Sequence, residues 1–138
     1  MKGITEGIEI VQEGILIKIW RKIKGSLLGG YSLNETESNA VQDLFISMIL
    51  LFVVKKDGAN YCQKSKDKNC ADTLDDLEEI LVKRIKFLKD FLSSRLPKND
   101  YENFLASIES EVKPRYRSLN DKDKLDGIKS AISTLMDY

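Results

Sequence analysis

A chain of 138 residues with 42% hydrophobic and 32% charged residues fits one globular domain with its own core and lies outside the disordered class. Its 22 cations and 22 acids cancel, which excludes a polycation, so any affinity for nucleic acid must come from a local patch. No histidine occurs, which removes the commonest general base, the commonest metal ligand and the usual partner of a nucleophilic Ser or Cys.

The start of the chain carries Glu6, Glu9 and Glu13, which interrupt anything like the apolar core of a signal peptide. The longest apolar run, Leu44 to Val54, is about half the ~20 residues that span a bilayer. The expectation is a cytoplasmic protein without a membrane partner, in which the sequon at Asn34 has no role. The charges lie in blocks, basic at 18–24, 83–98 and 113–117 and acidic at 72–79.

In chain order, Ile4, Ile8, Val11, Ile15, Ile19 and Ile23 recur at helical spacing, which favours a first helix up to Gly25. Gly3, Gly7 and Gly14 weaken that reading. The alternative is a β-hairpin with strands at 8–11 and 15–20 turning at Gln12-Glu13-Gly14. The stretch from Gly25 to Ser32 reads as a flexible connector.

A second helix, capped by Asn34 or Ser32, runs to about Lys56, with Asp57-Gly58 as its stop. Its centre is apolar on every side, which places it in the middle of a bundle. Cys62 and Cys70 then bracket a lysine-rich stretch. Their spacing fits no zinc or redox motif and leaves two readings open: free thiols, or a loop-closing disulfide.

The third helix is the clearest. Thr73 caps it, the acidic residues 72–79 fill its first turns, and lysines from Lys83 onward complement the macrodipole at the other end. Leu74, Leu77, Leu81, Ile85, Leu88 and Leu92 form its buried stripe, and Pro97 ends it. A fourth helix starts near Asn99 or Asp100, buries Tyr101, Phe104, Leu105, Ile108 and Val112, and stops before Pro114. A fifth, capped near Asn120 or Asp121, buries Leu125, Ile128, Ile132 and Leu135. Short connections imply antiparallel neighbours. The fold expected for residues 1–138 is therefore a single all-α domain, a compact five-helix bundle around a central apolar helix.

Motifs for chemistry are weak. Asp72, Asp75, Asp76, Glu78 and Glu79 sit where a helix start welcomes acid, so their placement has an ordinary structural explanation. The segment from Asp121 to Gly127 fails as a calcium loop, because its fifth and twelfth positions are Leu125 and Ile132. Gly25-Ser-Leu-Leu-Gly-Gly30 lacks the lysine and hydroxyl of a phosphate-binding loop. No enzyme, no metal and no cofactor is expected.

The basic blocks are the candidates for recognition. Lys83, Lys86 and Lys89 step along the third helix and Arg95 follows. Lys113, Arg115, Tyr116 and Arg117 read as an exposed linker, with Tyr116 free to stack on a base. Arg21, Lys22 and Lys24 extend the patch if folding brings them near. Trp20 reads as an anchor at the bundle margin, where its indole N–H finds a partner.

Two stretches carry a family likeness: the apolar helix from Gln42 to Lys56 that ends in lysines, and Tyr116-Arg117 leading into a final helix from Lys124 to Met136. Together they resemble the small helical subunit of type I and type III CRISPR effector complexes. The likeness implies a non-enzymatic subunit that stacks in several copies with other subunits and guides RNA or single-stranded DNA through basic side chains. The chain departs from that family in its ending, Met136-Asp137-Tyr138, which is neither strongly basic nor aromatic-rich. The rival expectation is a helical protein–protein module, such as a viral or plasmid accessory inhibitor.

Overall fold

The computed structural model describes residues 15–136 as five helices: α1 (Ile15–Leu28), α2 (Glu35–Lys64), α3 (Cys70–Arg95), α4 (Lys98–Ser118) and α5 (Asp121–Leu135). No strand occurs among the described residues. The all-α bundle holds, and α2 is its axis, in contact with each of the other four helices.

Residues 15–20, one strand of the hairpin alternative, are helical; the other strand, 8–11, lies outside the described residues. Helix α1 continues through Gly25, so the expected connector starts too early. The chain turns at Gly29-Gly30, where the Gly29 N–H donates to the Gly25 carbonyl (2.9 Å). Gly30 takes φ +90, a conformation that only glycine adopts without strain.

Asn34 begins α2 with a reciprocal capping box. Its Oδ1 accepts the Glu37 N–H (2.8 Å), while Glu37 Oε1 accepts the Asn34 N–H (3.1 Å). Leu44, Phe45, Ile49 and Val53 are fully buried, as an all-round apolar helix requires. By length and composition α2 could cross a bilayer, but 67% of its apolar window is covered by the bundle.

The expected stop at Asp57-Gly58 is overturned, since α2 runs on to Lys64. Gly58 is buried there, and a Cβ on it would stand 3.1 Å from Leu74 Cδ1. Its role is close approach of α2 to α3, not termination.

Helix α3 starts at Cys70, so Thr73 lies inside its first turn and does not cap it. The reason lies upstream. Cys62 and Cys70 form a disulfide with Cα atoms 5.6 Å apart, settling the open choice. Asp67 Oδ1 accepts the Asn69 N–H (2.9 Å), which tightens the turn into the helix. The stripe from Leu74 to Leu92 is buried as expected, and Leu96 leaves the helix in extended conformation before Pro97.

Pro114 lies inside α4, and residues 113–117 are its last turns rather than a linker. A proline withholds one N–H from the ladder. The helix still closes, with the Leu119 N–H donating to the Tyr116 carbonyl (3.1 Å). Phe104, Ile108 and Val112 are buried, whereas Tyr101 and Leu105 are only half-buried. Asn120 caps α5 by accepting the Asp123 N–H (2.8 Å). Ile128, Ala131 and Thr134 form its buried face, and Leu125, Ile132 and Leu135 are half-buried.

Trp20 is not at the margin. It is 1% exposed, its ring centroid lies 5.6 Å from that of Phe45, and among the described residues its Nε1 has no hydrogen-bond partner. An unsatisfied buried donor is a standing cost of about 1–3 kcal/mol. Trp20→Phe removes the donor along with some packing, so its destabilisation in urea denaturation should stay below about 1.5 kcal/mol. A larger loss would mean that the indole N–H is bonded in solution.

Candidate nucleic-acid interface

Several of the nominated cations are already engaged inside the molecule. Lys83 Nζ lies 2.9 Å from Glu79 Oε1 and Arg115 Nε 2.9 Å from Glu111 Oε2, each an i,i+4 pair. The Arg95 guanidinium sits 4.4 Å from the Phe91 ring centroid. Lys86, Lys113 and Arg117 are exposed, and among the described residues none of them forms an ion pair.

Tyr116 is not a free stacking platform. Its hydroxyl donates to Asp57 Oδ2 (2.7 Å), its ring lies 4.6 Å from that of Phe52, and Lys124 Nζ stands 4.4 Å from its centroid. Burial first, and then the Asp57 carboxylate, push the Tyr116 phenol up to about 12. A raised folded value stabilises the fold below the ordinary phenol range near 10, and that contribution is lost as pH rises through about 12. The stability advantage of the native chain over Tyr116→Phe should therefore shrink between roughly pH 10 and 12 in alkaline denaturation. A difference that stays flat across that range would contradict the assignment.

Lys89 and Lys113 meet at the lips of an open trough of about 330 Å³ between α2, α3 and α4. Its floor is Met48, Leu51 and Phe52, and its walls are Ile85 on α3 and Val112 on α4, with Glu109 beside Lys113.

A basic patch uninterrupted by acid lies on α1. From Gly14 to Asn34 no acid occurs, whereas Lys18, Arg21, Lys22 and Lys24 are all exposed. Lys18, Arg21 and Lys22 stand at i, i+3 and i+4, so they share one face. Like charges at that spacing destabilise a helix by a few tenths of a kcal/mol per pair. Among the described residues no carboxylate neutralises them. The opposite side of α1, Leu16, Ile17, Ile19, Trp20, Ile23 and Leu27, is committed to the core. In the sequence this is the basic block at 18–24, of which Arg21, Lys22 and Lys24 read as an extension of the other basic blocks.

One polar cluster was not foreseen. Asp43, 2% exposed in the middle of α2, accepts the Arg84 Nε–H at Oδ1 (2.9 Å), a second guanidinium bond at Oδ2, and the Ser47 hydroxyl at Oδ1 (3.1 Å). Burial outweighs the favourable Arg84 and Ser47 interactions and holds the Asp43 carboxyl above its ordinary value. Its only sequence signal is an acid between Val41 and Leu44. The acidic residues of 72–79 sit along the first turns of α3, where Glu78 Oε1 lies 3.7 Å from Lys55 Nζ. Comparison with protein-family models, curated proteins and solved structures yields no match to this chain.

Proposed function

We propose that the chain is a non-catalytic helical scaffold subunit that contacts the nucleic-acid backbone through the solvent face of α1, inside a larger assembly. The observation that carries this reading is the face of Lys18, Arg21 and Lys22, cationic at mutually repulsive spacing and without an acid on its helix. Such an arrangement costs the fold stability and suits phosphates spaced along a strand. A basic amphipathic helix also suits an anionic membrane, but that use needs its apolar face, and here the core holds that face. The resemblance to small CRISPR subunits implies the same class of role, but it rests on residues 42–56 and 116–136 and has no counterpart for the N-terminal region that holds α1.

The test is fluorescence anisotropy with a single-stranded RNA, the matching DNA and anionic vesicles, on the native chain and on K18A/R21A/K22A. All three positions are exposed, so the variant should fold. The expected result is binding of the oligonucleotides at low salt, its loss in the triple variant, and no vesicle binding. Oligonucleotide binding that survives the triple variant would remove α1 from the interface.

A further inference from the structure

We infer that the trough between α2, α3 and α4 is the docking site for an acidic amphipathic helix of another protein subunit. This surface lies on other helices than the α1 face and stands independently of it. Met48, Leu51 and Phe52 share one face of α2 at i, i+3 and i+4 and are only half-buried, whereas Ile49, Leu50 and Val53 beside them are in the core. A helix that is apolar all round therefore has one side that the bundle leaves open, which is an unfinished core position. The gap of about 330 Å³ is open along its length and not closed over, a shape that does not enclose a small ligand. A helix laid into it would place apolar residues at i, i+3 or i+4 and i+7 against this floor.

Charge chooses the helix. Lys89 stands on one lip and Lys113 on the other, with Glu109 the single acid among the lining residues. Neither lysine is ion-paired among the described residues. A partner with Asp or Glu flanking its apolar stripe finds an ammonium on each side, and a basic helix meets repulsion on both. Nucleic acid is the poorer fit, because phosphate contact gains nothing from an apolar floor of Met, Leu and Phe.

Selection from a displayed library of helical peptides against the full chain tests this. The expected winners carry an apolar stripe flanked by acid, and their binding weakens at least about tenfold in Leu51→Glu. The lip variant K89E/K113E, at a half-buried and an exposed lysine outside the core, should turn the selected flanks from acidic to basic. K18A/R21A/K22A should leave peptide binding unchanged, which separates this surface from the α1 face. The proposal is overturned if no peptide is enriched over a protein-free control, or if the winners ignore Leu51→Glu. It is also overturned if charge reversal leaves the preference unaltered, or if RNA displaces the peptide.

Discussion

Replacing Asp43 by alanine should cost about 3–5 kcal/mol, the range for breaking a buried ion pair by removing one partner. The Arg84 side chain is only 18% exposed, so the variant leaves a largely covered guanidinium without that carboxylate, and Ser47 loses its acceptor. The pair itself need not be stabilising, because the desolvation that raises Asp43 offsets much of the attraction. Hence the double variant Asp43→Leu with Arg84→Met should recover most of the loss. The sign with pH follows from the raised folded value. Asp43's contribution is fully present below its ordinary carboxylate range and declines as pH rises through the higher folded value. Urea denaturation of the native chain, Asp43→Ala, the singles Asp43→Leu and Arg84→Met, and the double variant checks this. An Asp43→Ala loss below about 1 kcal/mol, or a double variant as unstable as the sum of the singles, would show that the cluster is not a coupled unit.

Reducing the Cys62–Cys70 bond should cost about 2.6 kcal/mol, the chain-entropy value for a closed loop of about nine residues. The bond ties the end of α2 to the start of α3, with Cys70 buried and Cys62 half-buried. Its loss frees the turn built by Ser65, Asp67 and Asn69, so the first turn of α3 should fray before the core opens. Urea curves with and without reductant should differ in midpoint by on the order of 1–2 M. Coincident curves would show that the thiols are not joined in solution. Increased amide exchange confined to residues near 62–73 on reduction would support the local account.

Much of the fold was legible because its signals are local and repeated. The α3 stripe from Leu74 to Leu92 recurs over several turns, and the acid-to-base order along that helix agrees with it. The centrality of α2 followed from its lack of a polar side. What failed were single residues whose meaning is tertiary. Gly58 looked like a stop because glycine is a poor helix former, yet its use is the approach of Leu74. Pro114 looked like a boundary, but α4 tolerates it near its C-terminus. The rule that a buried indole N–H finds a partner points Trp20 to the margin, yet its Nε1 is buried and finds none among the described residues.

For the candidate site, local pairing was readable and spatial pairing was not. Glu79 and Lys83 are visible as i,i+4 partners in the sequence. The hydrogen bond from Tyr116 to Asp57 joins residues far apart in the chain, and it takes Tyr116 out of the recognition surface. The meeting of Lys89 and Lys113 across a trough likewise depends on helix placement. Asp43 and Arg84, on different helices, have no local pattern that joins them.

The most direct measurement is the salt dependence of single-stranded RNA affinity for the native chain and K18A/R21A/K22A. Each phosphate neutralised on a single strand contributes about −0.7 to the slope of log affinity against log salt. If α1 supplies the contacts, the triple variant should flatten that slope by about 2, while K89E/K113E leaves it unchanged. Equal slopes for the native chain and the triple variant would contradict an α1 phosphate-binding face.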